Sequence, residues 1–126
     1  MRSRLRAFVM LGVVVSVTVA TGCGNEHSTH PVNGTVVFKD GTPVKSGSIS
    51  FSTKETRRAS SGTIAEDGTF KLTTFKPDDG AEVGPHIVTV SANPDIDPKY
   101  ASAETSGIEV EVKEGTNDIK IELDKK

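Results

Sequence analysis

Three histidines, His27, His30 and His86, are the side chains best suited to binding a transition metal. His27 and His30 could ligate an ion through their imidazole nitrogens. Their spacing is loose, however, and no cysteine or ordered carboxylate completes a tetrahedral set of ligands. We therefore predict no metal ion at this pair and no cofactor in the chain.

Two acidic loops could supply oxygen ligands for calcium. Asp95 and Asp97 stand in one loop, and Asp78 and Asp79 in another. A calcium loop also needs a sharp ordered turn and a regular ligand spacing, which neither segment has. We expect these acids to be solvated side chains of loops.

Nucleophilic catalysis requires an activated hydroxyl or thiol with a base in reach. The chain has many serines but no Gly-x-Ser-x-Gly elbow. It also has no Cys/His pair outside the N-terminal segment. We therefore predict that the protein is not an enzyme and has no catalytic residues.

Charge argues against a nucleic-acid partner. The chain has fifteen basic and seventeen acidic residues, and without Arg2, Arg4 and Arg6 of the N-terminal segment twelve bases face seventeen acids, a net charge of −5. Nucleic-acid binding needs a basic stripe to replace counterions. The compact basic cluster Arg57-Arg58, which follows Lys54, is expected to cap a hairpin loop in water, with contact to a partner as the alternative.

The single cysteine, Cys23, stands at the end of an apolar N-terminal run. A basic segment, residues 1–6, precedes an almost wholly apolar stretch, residues 7–20. A signal peptide needs about 7–15 apolar residues, and a membrane span about 20. We predict that residues 1–22 are a signal peptide that is removed on export.

The residues around Cys23 resemble the lipobox of bacterial lipoproteins, in which small residues precede a cysteine that is acylated and becomes the new N-terminus. Thr21-Gly22-Cys23 fits this pattern, although Ala20 stands where Leu is commonest. The alternative is a secreted protein with a spare thiol. Acyl chains on Cys23 would make a permanent anchor, and residues 23–31 would be its tether. The resemblance to lipoproteins of diderm bacteria, in which Asp after the cysteine retains the protein in the inner membrane, implies that Gly24 favours the outer membrane.

From residue 32 onward, apolar and polar residues alternate between turn signals, which is typical of half-buried strands. Asp40-Gly41 and Asp67-Gly68 are each predicted to form the turn of a tight hairpin, and the second is predicted to pair the segments on either side of it. The alternating segments are 32–38, 48–52, 62–65, 70–73, 86–92, 108–112 and 119–123. Seven such strands predict an all-β, antiparallel β-sandwich over residues 32–126. The predicted core is Phe51, Phe70, Leu72, Val88, Val90, Val110 and Ile121, and Ser50, Lys71, Glu109, Glu111 and Lys120 are predicted to face water.

The body of the chain resembles the carboxypeptidase regulatory-like domain. The resemblance rests chiefly on Asp40-Gly41-Thr42-Pro43-Val44, Asp67-Gly68-Thr69-Phe70-Lys71-Leu72 and Gly115-Thr116-Asn117. It implies a transthyretin-like (prealbumin-like) sandwich with an Ig-like Greek key and a non-catalytic accessory role. A Tyr usually stands at the position of His86, so this histidine is expected to be a packed aromatic. Transthyretin-like hydrolases end in a tail that Leu123-Asp124-Lys125-Lys126 does not match.

These observations predict a lipid-anchored lipoprotein of the cell envelope whose sandwich is an interaction or structural module. Its expected partners are the membrane, through Cys23, and an unidentified envelope protein. The alternative is a lipoprotein that binds a small ligand or a glycan. Glycan sites usually use exposed aromatic platforms, and Tyr100 is the chain's single tyrosine, with no tryptophan beside it. The sequence therefore favours the interaction module.

Overall fold

The computed structural model describes residues 28–126, which form an all-β domain. Cys23, His27 and the predicted signal peptide lie outside the described residues. One short 3-10 helix, Pro98–Ala101, interrupts the strands. The strands are β1 (Thr29–His30), β2 (Val32–Phe38), β3 (Ser48–Thr53), β4 (Ala59–Thr63), β5 (Thr69–Lys71), β6 (Ala81–Glu82), β7 (Gly84–Ser91), β8 (Ile108–Val112) and β9 (Asn117–Leu123).

The larger sheet has four strands in the order β4-β3-β7-β8, and all of its pairs are antiparallel. Its central strands carry β-branched and aromatic residues at alternate positions, so that one face of the sheet is apolar. Phe51 of β3 pairs with Val88 of β7, and both side chains are fully buried. This face forms one wall of the core.

The second sheet has three strands in the order β5-β2-β9, and its β2–β9 pair is parallel. The prediction of a purely antiparallel sandwich is therefore wrong for this pair. The physical reason is the route of the chain, because β9 follows β8 of the other sheet through a short turn and enters beside the start of β2. Val32 and Asn117, the first residues of the two strands, are register partners.

The described residues contain nine strands rather than the predicted seven. The two additional strands are β1 and β6, which have two residues each and pair only with each other. They come from segments that the sequence assigned to the tether and to a loop. Neither segment shows the alternation by which the longer strands were recognised. The seven remaining strands make up the two larger sheets.

The core lies between the two larger sheets. Of the predicted core residues, all except Val110 are buried, and Phe38 is buried beside them. Val110 is partly buried on β8, an edge strand of its sheet, whereas Val112 of the same strand is fully buried. On the opposite face, Ser50 is half-buried, whereas the four charged residues predicted to face water are exposed. The register read from the sequence is therefore correct.

Both Asp-Gly turns form, and they use the same geometry. In each turn the aspartate Oδ1 accepts hydrogen bonds from the backbone N–H and the hydroxyl of the threonine two residues later. The intervening glycines have φ of +90° and +84°, a conformation that favours glycine. The turn chemistry was therefore readable from the sequence.

The predicted hairpin across the second turn forms in part. The segments on either side of the turn run antiparallel, with hydrogen bonds between Ala65 and Thr69 and between Ser61 and Thr73, although β4 and β5 belong to different sheets. One antiparallel bridge, between Ser61 and Thr73, joins them. The two backbones cross so closely at Gly62 that a methyl group there would overlap the carbonyl oxygen of Lys71. The chain thus passes from one sheet to the other at this edge.

Candidate functional site

The first strand fixes the N-terminal part of the described chain to one end of the sandwich, which we call the tether end. Thr29 pairs with Glu82, and His30 pairs with Ala81. The His30 Nδ1 accepts a hydrogen bond from the backbone N–H of Gly115 at 3.1 Å, which ties the strand to the turn between β8 and β9. The segment that leads back to Cys23 therefore leaves the domain at this end.

The structure does not place His30 in a metal site. Besides the bond from Gly115, its Nε2 lies 3.3 Å from the Ser28 hydroxyl, so both ring nitrogens have polar neighbours within the chain. Within residues 28–126, no group of three or more histidine, cysteine, aspartate or glutamate side chains could hold an ion. The pairing of His30 with His27 lies outside the described residues.

His86 is fully buried, as the family resemblance led us to expect. Its ring centroid lies 5.9 Å from that of Phe51, and its Nε2 donates a 2.7 Å hydrogen bond to the carbonyl oxygen of Glu82. A carbonyl can only accept, so Nε2 carries a hydrogen. The other nitrogen, Nδ1, is buried without a hydrogen-bond partner. His86 is therefore a packed aromatic residue of the core.

The two acidic loops lie at opposite ends of the sandwich and do not combine into a site. Asp97 caps the 3-10 helix, its side chain accepting from the backbone N–H of Lys99 at 3.0 Å. Asp79 accepts hydrogen bonds from three successive backbone N–H groups, residues 74–76. Desolvation opposes ionisation of Asp79, but those three donors outweigh it and lower the pKa of its carboxyl. These two acids organise loops.

Arg57 and Arg58 lie in the loop of the β3–β4 hairpin, and a hairpin loop was predicted for them. This loop is at the tether end. The Arg58 guanidinium lies 4.8 Å from the ring centroid of Phe75, and its Nε is 3.6 Å from Oε1 of Glu82. Lys54 pairs with Glu109 at 2.5 Å. Arg58 therefore packs against neighbouring elements as well as meeting water.

A network of charged side chains lies at the opposite end of the sandwich, which we call the far end. Asp124 accepts from the ammonium groups of Lys39 at 2.8 Å and Lys99 at 2.9 Å, and from the Tyr100 hydroxyl at 3.0 Å. These hydrogen bonds, with Lys39 the strongest contributor, hold the pKa of Asp124 well below its usual range. Tyr100 is buried, 4% exposed. It is therefore not the exposed platform that the sequence offered for a glycan.

An open groove of about 1230 Å³ lies where β4 meets the three-stranded sheet. The residues that line it include Gly34 and Gly62, which lack side chains, and Phe70. Hydroxyls and charges of both signs line it: Thr35, Thr63, Thr69, Lys71, Asp118 and Lys120. Sequence reasoning missed this groove because its walls come from strands far apart in the chain.

Comparisons with family models, curated proteins and solved structures found no match to this chain. The resemblance to the carboxypeptidase regulatory-like domain remains a prediction from the residues quoted above.

Helical structure is confined to one short segment in the described part of the chain. Within residues 28–126, no helix has the length and apolar character needed to cross a membrane. The 3-10 helix Pro98–Ala101 has four residues.

Proposed function

We propose that this chain is a lipoprotein of the cell envelope, anchored through acyl chains on Cys23. The supporting observation is the position of β1, which begins six residues after Cys23 and holds the chain at one end of the sandwich. A domain held in this way presents its sides and its far end away from the lipid. The lipobox-like sequence and the apolar run before it supply the chemistry of the anchor.

The sandwich serves in this proposal as a non-catalytic interaction or structural module. Support comes from the roles of the ionisable groups singled out in the sequence. His86 packs in the core, Asp79 and Asp97 organise loops, and His30 ties β1 to a turn. Groups fixed by such contacts are suited to holding a surface in shape, and an envelope protein is the expected partner of that surface.

The finer fold assignment also belongs to this proposal. We assign the seven strands of the two larger sheets to a transthyretin-like sandwich with Greek-key connections. Support comes from the resemblance described above, from the buried position of His86 where a Tyr is usual, and from the two Asp-Gly-Thr turns. The strand pair β1–β6 is an addition at the tether end.

A second candidate function is binding of a small ligand or glycan, and the groove beside β4 favours it. Threonine hydroxyls and the Lys and Asp side chains that line the groove suit a polar ligand, although no aromatic platform is exposed there. Titration with envelope oligosaccharides, followed by amide chemical shifts, tests this candidate. Changes confined to Thr35, Lys71 and Lys120 would support the groove, and unchanged shifts would contradict it.

The proposed anchor has a direct chemical test. Mass spectrometry of the N-terminal peptide from the membrane fraction should identify an acylated Cys23 followed by Gly24, and no peptide beginning at Met1. Density-gradient separation of the membranes then tests the outer-membrane location expected from Gly24. An unmodified thiol at Cys23 in the mature protein would contradict the proposal.

A further inference from the structure

Two large hydrophobic side chains are exposed at the tether end. Among residues 28–126, Phe75 and Val83 are the large hydrophobics that remain exposed, at 51% and 49%. Arg58 lies beside the segments that carry them, because its guanidinium is 4.8 Å from the ring centroid of Phe75 and its Nε is 3.6 Å from Oε1 of Glu82, the residue before Val83. We call Arg57, Arg58, Phe75 and Val83 together the tether-end patch. Isolated apolar residues on a surface are common, but these two lie at the same end of the sandwich, with two arginines in a loop of that end.

The patch lies beside the point where the chain leads back to the proposed anchor. Glu82 is the register partner of Thr29, so Val83 directly follows the strand that pairs with β1. Six residue steps separate Thr29 from Cys23, and each spans at most about 3.6 Å. The covalent reach is therefore about 22 Å at most. The far end lies a further strand length away, since β7 has eight residues of about 3.4 Å each.

Charge favours the same orientation. In the loops of the far end, residues 39–47, 64–68, 92–107 and 124–126, acids outnumber bases by seven to five. In the loops of the tether end, residues 54–58, 72–83 and 113–116, five bases face five acids. An anionic lipid surface repels the far end more than the tether end. Arginines near apolar side chains can also place their stems in the interface and their charges among phosphates.

We propose that the tether-end patch rests on the lipid surface in which Cys23 is anchored, with Phe75 and Val83 in the headgroup region and Arg57 and Arg58 facing lipid phosphates. This inference rests on the proposed function, since the anchor brings the patch to the membrane. Contact through the patch fixes the domain upright, and leaves the groove and the far end accessible to partners.

The test uses the full-length protein purified from membranes and reconstituted into phosphatidylethanolamine vesicles with and without phosphatidylglycerol. An environment-sensitive fluorophore is attached to Val83→Cys, and in matched proteins to Glu114→Cys at the same end and Ala103→Cys at the far end. An acylated Cys23 does not react with the label. We expect a blue shift of emission at Val83, larger with phosphatidylglycerol, a smaller shift at Glu114 and none at Ala103.

Two further variants connect the shift to the patch. Phe75→Ser should reduce the blue shift at Val83, and Arg57→Gln should remove its dependence on phosphatidylglycerol, whereas Lys126→Gln at the far end should change neither. Vesicle flotation of every sample separates the two proposals. Protein that fails to float contradicts the anchor and this inference with it. Protein that floats but shows no larger shift at Val83 than at Glu114 contradicts the lipid contact alone and leaves the anchor standing.

Discussion

The rings of Phe51 and Phe70 lie 6.0 Å apart, tilted by 54°, across the space between the two larger sheets. Phe51 belongs to β3 of one sheet and Phe70 to β5 of the other, and neither is more than 3% exposed. Aromatic pairs at this separation contribute beyond the area they bury. This contact therefore links the two sheets directly.

Truncating one of these rings should destabilise the whole domain. Phe70→Ala removes the contact and leaves a cavity, and such changes cost about 3–5 kcal/mol out of a total stability of about 5–15 kcal/mol. The neighbouring Lys71→Ala is the matched control, because Lys71 is exposed on the other face of β5. Its effect should lie within about 0.5 kcal/mol.

Denaturant unfolding of both variants measures the difference. A one-residue change of register would exchange the two faces of β5 and reverse the order of the effects. A Lys71 variant less stable than the Phe70 variant would therefore contradict the strand register described here.

The close approach of β4 and β5 at Gly62 leads to a second prediction, on the stability of a Gly62 variant. Gly62→Ala places a methyl group against the carbonyl oxygen of Lys71, so the two backbones must separate. Overpacking of this kind costs about 1–3 kcal/mol. Ser61→Ala, at an exposed neighbouring position, should leave the unfolding midpoint nearly unchanged. Equal midpoints for the two variants would show that the sheets do not meet at this point.

The Asp124 network predicts a loss of stability in acid. Its pKa is held below the ordinary 3.8 by hydrogen bonds from Lys39, Lys99 and Tyr100. A carboxyl with a lowered folded pKa stabilises the fold above its unfolded pKa, and this contribution is lost as the pH falls through 3.8 towards the folded value. Asp124→Asn should therefore lower the urea midpoint at neutral pH. The gap from the unmodified protein should shrink below about pH 4.

Glu66→Gln is the control for this measurement, since Glu66 is an exposed carboxyl at the same end. Its urea midpoint should follow that of the unmodified protein across the pH range. A gap between Asp124→Asn and the unmodified protein that stays constant from neutral to acid pH would show that ionisation of Asp124 does not stabilise the fold.

Much of the fold could be predicted because its signals are local. Alternation over a few residues sets the buried face of a strand, which is why Phe51, Phe70 and Ile121 were correctly placed in the core. The turns at Asp40 and Asp67 were predictable for the same reason, since each depends on three consecutive residues.

The neighbours of each strand could not be predicted in this way. Alternation shows which face of a strand is buried but not which strand pairs with it. The sequence therefore could not show that β4 and β5 belong to different sheets or that β2 and β9 run parallel. The contact of Tyr100 with Asp124 joins residues 24 apart in the sequence. The groove and the far-end network depend on such long-range pairings, and both were missed.

Calcium should not change the stability of the domain. Asp97 caps the 3-10 helix, Asp79 caps the loop before β6, and the two lie at opposite ends of the sandwich. Thermal unfolding with calcium and with a chelator should give the same midpoint. A midpoint several degrees higher with calcium would indicate binding to the folded state by mass action.

The central claim of this account is the anchor at Cys23, and fractionation of a Cys23→Ser variant tests it most directly. The variant lacks the thiol that would carry the lipid, while residues 28–126 are unchanged. We expect the unmodified protein in the membrane fraction and the variant in the soluble fraction of the envelope. Equal recovery of the two proteins from the membrane fraction would contradict the claim.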